Sequence, residues 1–236
     1  MFYEFAHQPI FSLTLTLGSY FLGCVLYKKK KIALLHPILI SLFMISILLF
    51  IFDIGYETYY SGGQFISIYL GPATVALAIP IYKKLKLLKE NVIIILLSTF
   101  LSSIIAIIFV VGMGLFLRAD NLLLLSLIPK SVTTPIAIEI TDQIDGIMSL
   151  TAGAVIITGL LGGMFGPELN KIFGIKSTIA KGLTMGITAH GIGTARALEE
   201  NEQEGVLSGL AICLMGFFTA INTPIIISIY KYFSLL

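Results

Sequence analysis

Long apolar stretches separated by short polar segments run along most of the chain. Apolar residues dominate 9–27, 32–52, 92–117, 146–166 and 205–230, and a helix needs roughly 20 such residues to cross a bilayer. Shorter apolar stretches cover 64–82, 122–127 and 178–190. The pattern predicts an all-α integral membrane protein with about seven or eight transmembrane segments, including broken or re-entrant helices.

Three segments break this apolar pattern with glycine, proline and hydroxyl residues. The first is Gly71 and Pro72 with the later Pro80, the second is IPKSVTTPIAIEITDQID at 128–145, and the third is HGIGTAR at 190–196. A helix break at membrane depth survives only where protein or a water-filled cavity surrounds the freed backbone groups. The breaks are therefore candidate functional segments. The alternative is ordinary packing, because glycine and proline are common in membrane helices.

The first and third breaks are followed by similar sequence patterns. GPAT at 71–74 and GIGT at 191–194 each precede a charged stretch and a long apolar span, which starts near Val92 or Val206. Residues 10–117 and 121–234 are therefore predicted to be two copies of one unit. Matching breaks in two halves point to a transporter binding site, and in an inverted repeat they would meet near the midplane. The sequence leaves inverted and parallel arrangements open.

Basic residues predict the orientation of the first half. The lysines at 28–31 place that turn in the cytoplasm and the N-terminus outside. Residues 53–63 contain tyrosines and no lysine or arginine, which is typical of an outer interfacial loop. Four lysines within 83–89 return the chain to the cytoplasm. After residue 117 the topology stays open, with a polar loop expected after the span that ends at residue 166.

Composition excludes several classes of protein. The 236 residues are 57% hydrophobic and 12% charged, with a mean hydropathy of +0.98, so no separate soluble domain fits beside the spans. A net charge of +2 with the bases confined to loops does not suit a nucleic-acid binder. Cys24 and Cys213 lie inside apolar stretches, where small apolar fillers are expected rather than a disulfide.

No sequence motif indicates catalysis. The chain has no nucleophile elbow, zinc-protease helix or phosphate loop, and its three histidines are too scattered to predict a metal site. We expect no enzyme activity, no cofactor and no metal.

The breaks contain the residue types that bind a small carboxylate. Helix N-termini attract anions, and hydroxyl and guanidinium groups donate to carboxylate oxygens. The predicted substrate-binding residues are Thr74, Ser131, Thr133, Thr134, Thr194, Arg196 and Asn222, with the backbone at Gly71, Gly191 and Gly193. Arg196 would hold the carboxylate, unless it is an interfacial residue beside the acidic run 199–204.

Two residues are candidates for carrying a coupling proton. Glu139 lies between isoleucines, where an ionised carboxylate is expensive unless it is paired or hydrated. His190 begins the third break. Each has a plainer interpretation: Glu139 could lie at the interface, as could Lys130, and His190 could be a satisfied imidazole at a helix end.

Three long segments carry a family resemblance. GPATVALAIPIYKKLKLLKEN, PKSVTTPIAIEIT and AHGIGTARALEENEQEG resemble the LrgB/CidB family of bacterial membrane proteins, and the resemblance runs from about residue 12 to the end of the chain. It implies a single LrgB-like transmembrane domain over 1–236 in the bacterial cytoplasmic membrane. Family members are described as antiholin-like or holin-like proteins that regulate murein hydrolase export and lysis with a small LrgA/CidA-type partner.

The resemblance also implies transport. Related pairs are implicated in pyruvate transport, and the plastid glycolate and glycerate translocator contains a similar domain. We therefore expect a transporter of small monocarboxylates such as pyruvate or glycolate, with optional coupling to protons, that forms a homo-oligomer, most simply a dimer, in the lipid bilayer. The alternative is an antiholin-like modulator of murein hydrolase export and lysis that acts with an LrgA/CidA-type partner.

Overall fold

A computed structural model describes residues 8–29, 35–69, 72, 75, 79, 82 and 85–234, and within these residues each regular element is a helix. The helices are α1 Pro9–Lys29, α2 Pro37–Ile51, α3 Tyr56–Ser67, α4 Leu85–Glu90, α5 Val92–Phe116, α6 Asn121–Leu127, α7 Thr134–Gln143, α8 Met148–Ile172, α9 Thr178–Glu200 and α10 Glu202–Ser234. The chain divides into two compact units, residues 1–78 and 79–236.

Four helices of the described part are long and apolar enough to cross a membrane: α1, α5, α8 and most of α10. Their large apolar side chains are widely exposed, as on α5, where Phe109 is 62% and Phe116 80% exposed. Apolar faces exposed to this extent indicate contact with a lipid bilayer or with another protein. The predicted helical membrane protein is confirmed at this level. The seven or eight segments and the internal repeat stay predictions.

In the first unit, α1 packs against α2 and α3. Gly23 approaches the backbone of Pro37, and Gly62 approaches that of Pro9, so neither site has room for a side chain. Thr16 Oγ1 lies 2.7 Å from the hydroxyl of Tyr59. The predicted loop at 53–63 is wrong, since α3 begins at Tyr56. The close contact of Gly62 with Pro9 and Ser12 lets α3 meet α1.

The second unit contains a helical hairpin between α5 and α8. Its arms are α6 and α7, joined by irregular backbone at 128–133. The hydroxyl of Thr151 on α8 donates to the carbonyl of Ser126 at 2.7 Å and lies 2.9 Å from that of Thr141. Ser126 Oγ in turn accepts from the amide of Ile147 at 2.8 Å. These buried bonds fasten both arms to the start of α8.

Helix α9 folds back on itself at His190. Lys181 and Ala197 line one small pocket, although a straight helix would hold them about 24 Å apart. Gly193 likewise lies against the carbonyl of Met185, eight positions earlier. Residues 178–189 and 191–200 therefore form two arms of a second hairpin, with His190 at its tip. Within the break predicted at residues 190–196 only His190 is non-helical, and residues 191–196 are helical.

Helix α8 is longer than the sequence predicts. The expected loop after residue 166 is wrong, because α8 continues through the buried Pro167 to Ile172. Asn170 is buried there and accepts a hydrogen bond from Thr184 of α9 at 3.2 Å. Contact with α9 thus sustains helix where proline and charge suggested its end.

Glycines let the second hairpin approach its neighbours closely. A Cβ on Gly162 of α8 would lie 2.6 Å from that of Ala189, and one on Gly182 of α9 would lie 2.7 Å from that of Leu207 on α10. Real Cβ atoms do not approach so closely. The hairpin is therefore packed on α8 and α10 through backbone-to-backbone surfaces, as small residues allow in membranes.

Adding a side chain at one of these contacts should separate the helices. We expect Gly182→Leu to destabilise the protein by about 1–3 kcal/mol or more, because Leu207 and the carbonyl of Glu204 occupy that space. Gly112→Leu is the matched control, since nothing lies within 4 Å of a Cβ there. Thermal unfolding in detergent measures both variants, and equal midpoints would contradict the packing.

The fold-back of α9 predicts that both ends of the second hairpin lie on the same side of the membrane. Lys176 and Asn201 flank the hairpin, whereas Asp145 precedes the opposite end of α8. Single cysteines at 176 and 201 should therefore be labelled from one side of the membrane, and a cysteine at 145 from the other. Impermeant maleimide on oriented vesicles tests this in a chain with Cys24 and Cys213 replaced by serine. Labelling of 176 and 201 from opposite sides would show that the segment crosses the membrane.

Candidate functional site

An open cleft of about 550 Å³ lies between helices α5 and α8, beside both helix breaks. The first break contributes Lys130 and Ser131, and the first arm of α9 contributes Ile187 and Thr188. The remaining wall residues come from α5, α8 and α10: Ser102, Ile105, Ala106, Phe109, Thr158, Leu161, Gly162, Phe165, Leu169 and Met215. Most of this surface is apolar, and its polar groups are hydroxyls and one ammonium.

Two prolines shape the first break. Pro129 has no N–H to continue α6 and would crowd the carbonyl of Leu125, so the helix ends at Leu127. Lys130 and Val132 then donate in tight turns to the carbonyls of Leu127 and Pro129. Helix α7 restarts at Thr134 with Pro135 in its first turn, where proline is tolerated. The hydroxyl of Thr133 does not cap this helix.

Lys130 and Ser131 are the residues of the first break that line the cleft. Ser131 is 8% exposed, and the ammonium of Lys130 lies 3.5 Å from its hydroxyl oxygen. The N-terminus of α7 follows three residues later and contributes the positive end of a helix dipole. A cation, a hydroxyl and a helix N-terminus close together form an arrangement that favours an anion.

The second break is built on a rare backbone conformation. His190 has φ of 37° and ψ of −126°, a region that residues with a side chain seldom occupy. Its buried Nε2 lies 3.0 Å from the carbonyl oxygen of Val155 on α8. Because a carbonyl only accepts, Nε2 carries a proton, and a neutral ring leaves Nδ1 as an acceptor. The imidazole thus fastens the hairpin tip to α8 beside Gly159.

The residues just after His190 hold the second arm close to the first and to α10. Gly193 lies against Met185, and the hydroxyl of Thr194 lies 2.7 Å from that of Ser208 on α10. A Cβ at Gly191 would meet nothing within 4 Å. Packing therefore requires glycine at position 193, whereas it does not require glycine at position 191.

Arg196 lies farther along the second arm, outside the cleft lining. Its guanidinium contacts Glu199 at 2.8 Å and Glu200 at 2.6 Å, both on its own arm. Glu139 is exposed on α7. Asn222 is buried on α10 and donates to the hydroxyl of Ser103 on α5 at 2.6 Å.

The structure brings together only part of the predicted site. Ser131 lines the cleft, Thr133 and Thr134 begin the adjoining helix, and His190, Gly193 and Thr194 form the second hairpin tip. Arg196, Glu139 and Asn222 stand apart from the cleft lining. Gly71 and Thr74, predicted from the first half, lie outside the described residues.

Sequence reasoning missed the hydroxyls on the intact helices that line the cleft, namely Ser102, Thr158 and Thr188. Hydroxyl residues in apolar helices usually bond to the preceding turn, as Thr188 does to the carbonyl of Thr184 at 2.6 Å. Nothing in the sequence separates such hydroxyls from those that face a cleft. Among the described residues, no cluster of three metal-ligating side chains occurs.

Comparison with known proteins gives a consistent family. The model of the LrgB-like family matches residues 16–229. YwbG of Bacillus subtilis (strain 168) is 36% identical over 219 residues, which cover 93% of this chain and 97% of that protein. The antiholin-like protein LrgB of Bacillus cereus (strain B4264) is 32% identical over 217 residues, with 92% and 94% covered. No solved structure matches the chain.

Proposed function

The chain belongs to the LrgB-like family, and we propose that it acts in the bacterial cytoplasmic membrane as a carrier of small monocarboxylates such as pyruvate or glycolate. The observation that carries this proposal is the cleft beside the two helix breaks, with Lys130 and Ser131 in an otherwise apolar wall. A small carboxylate with a short carbon body matches both parts of that surface. The cleft volume of about 550 Å³ is ample for such a molecule.

The two hairpins give this site the form expected of a carrier. Each interrupts a helix beside the cleft, and half-helix ends in transporters face their substrates near the midplane. The charged group of the lining, Lys130, lies in the first break. A large lytic pore would instead need a polar face along whole helices, whereas α5 and α8 expose mainly apolar side chains.

The roles predicted for the polar residues fall into two groups in this proposal. Ser131 lines the cleft and is proposed to donate to carboxylate oxygens, as are Thr133 and Thr134 at the start of α7. His190 is the candidate for a coupling proton because it is buried at a break. Glu139 and Arg196 keep their predicted roles only as predictions. The guanidinium of Arg196 already has two carboxylate partners. Thr74, the internal repeat and the dimer likewise stay predictions.

Uptake into liposomes tests the carrier. Purified protein should take up labelled pyruvate or glycolate in a saturable manner, and an inward proton gradient should increase the rate. Ser131→Ala should raise the apparent KM about tenfold or more, because one hydrogen bond to a charged ligand is lost. Ser149→Ala on α8 is the control, since Ser149 is exposed and outside the cleft. Vesicles that stay silent with every substrate would contradict the carrier.

A second candidate function is an antiholin-like modulator of murein hydrolase export and lysis, acting with an LrgA/CidA-type membrane partner. The observation that favours it is the name of relatives in Bacillus cereus, antiholin-like protein LrgB, at 32% identity over 92% of this chain. A modulator would use the exposed apolar helix faces rather than the cleft. The two functions need not exclude each other.

Separation of the two functions requires a carrier variant that still reaches the membrane. In cells that carry a partner gene, wild-type protein should delay lysis, followed as culture turbidity. If Ser131→Ala delays lysis as well as wild type while its uptake is impaired, modulation is independent of transport. Loss of the delay in proportion to uptake would make lysis a consequence of carboxylate flux.

A further inference from the structure

Lys130 is a cation without a counter-ion in the described part of the chain. The ion pairs found there join Lys181 to Glu204 and Arg196 to its two neighbouring glutamates, and none involves Lys130. Its only polar side-chain contact there is the hydroxyl of Ser131 at 3.5 Å. A hydroxyl does not neutralise an ammonium, and a partly buried charge without a partner is costly. A carboxylate ligand would supply the counter-ion that the described residues do not.

The surroundings of Lys130 restrict the anion that could complete it. Most of the cleft lining is aromatic or aliphatic, including Phe109, Phe165, Leu161 and Met215. The hydroxyl side chains in the lining are those of Ser102, Ser131, Thr158 and Thr188. One cation matches one negative charge, and the walls match a carbon body rather than a second charge.

The backbone next to Lys130 strengthens the positive potential. Helix α7 starts at Thr134, three residues beyond Ser131, and no side chain caps its N-terminus. The dipole of a helix N-terminus and its free amide groups favour negative charge nearby. Ten residues give α7 nearly three turns, enough for this effect.

We infer that the ammonium of Lys130 binds the carboxylate group in the cleft, with Ser131 donating to the same group, and that the ligand is a monoanion with a small apolar body. The inference rests on the proposed carrier function and deepens it by naming the charge partner and the substrate class. It assigns to Lys130 the role that the sequence predicted for Arg196. The ligand is not expected to be a dicarboxylate, because the lining holds one cation and is otherwise mainly apolar.

Charge variants at Lys130 test this inference. Lys130→Gln should weaken binding of pyruvate and of butyrate at least about tenfold, the usual cost of losing a hydrogen bond between charged groups. Lys130→Arg should retain most of the affinity because it keeps the charge. Lys176→Gln is the matched control, since Lys176 is exposed and outside the cleft. Ligand-dependent thermal stabilisation in neutral detergent measures binding without transport.

The pattern across ligands and variants decides the outcome. Wild type should bind pyruvate and butyrate but not succinate, and Arg196→Gln should bind them more tightly than Lys130→Gln does. Equal binding by Lys130→Gln and wild type would overturn the inference, as would succinate binding or a larger loss in Arg196→Gln. If Lys130→Gln does not insert, Thr158→Asp replaces it. A carboxylate added to the cleft lining at position 158 should compete with the ligand for Lys130 and weaken binding in the same way.

Two further measurements distinguish a carboxylate site from a lipid site and binding from transport. If Lys130-dependent stabilisation comes from phosphatidylglycerol and not from added carboxylate, the cleft binds a lipid headgroup and the inference fails. Uptake in phosphatidylcholine vesicles then tests the carrier function separately from the binding site. If wild-type vesicles are silent but binding depends on Lys130, the carrier is overturned and the carboxylate site is supported. If uptake is active and Lys130→Gln leaves it unchanged, the carrier is supported and the role of Lys130 is overturned.

Discussion

The constraint on which this structure depends is the need of every backbone N–H and C=O group to find a partner where water is scarce. An unbroken helix satisfies it alone, and α5 does so over 25 residues. The irregular segment at 128–133 cannot. Its turns pair some groups internally, and the buried hydroxyls of Ser126, Thr141 and Thr151 fasten the adjoining helix ends. The breaks exist because neighbouring helices surround them.

Neighbouring helices can pack this closely around the second hairpin only where the facing residues have no side chain. On α8, Gly159, Gly162 and Gly163 face the tip of the second hairpin, and on α9, Gly182 and Gly186 face α10. Any Cβ at these positions would overlap an atom of the facing helix. The same glycines that weaken a helix intrinsically therefore allow two folded-back arms to fit between long helices. Stability and site geometry are supplied by one set of residues.

The sequence predicted the long spans well because length and apolarity alone define them: 92–117 and 205–230 agree closely with α5 and α10. It also predicted breaks at 128–145 and 190–196 from their prolines and glycines, whereas the structure confines the irregular backbone to 128–133 and His190. It failed at 53–63 and after residue 166, where Gly62 and Asn170 make contacts with distant helices. Fold-back at His190 could not be foreseen, since it depends on the bond to Val155 and on Gly193 meeting Met185.

For the candidate site, too, the sequence predicted what depends on local pattern and missed what depends on contacts between distant helices. Ser131, which lines the cleft, was predicted because it lies in a recognisable break, whereas Thr158 and Thr188 look like ordinary hydroxyls of apolar helices. Arg196 attracted attention as an arginine beside a glycine-rich segment, yet Glu199 and Glu200, one helical turn away, neutralise it. The glycine faces also have a mechanical consequence. Because no side chain separates these facing backbones, direct backbone contact sets the spacing of the second hairpin from α8 and α10, and the hairpin cannot move closer to either helix.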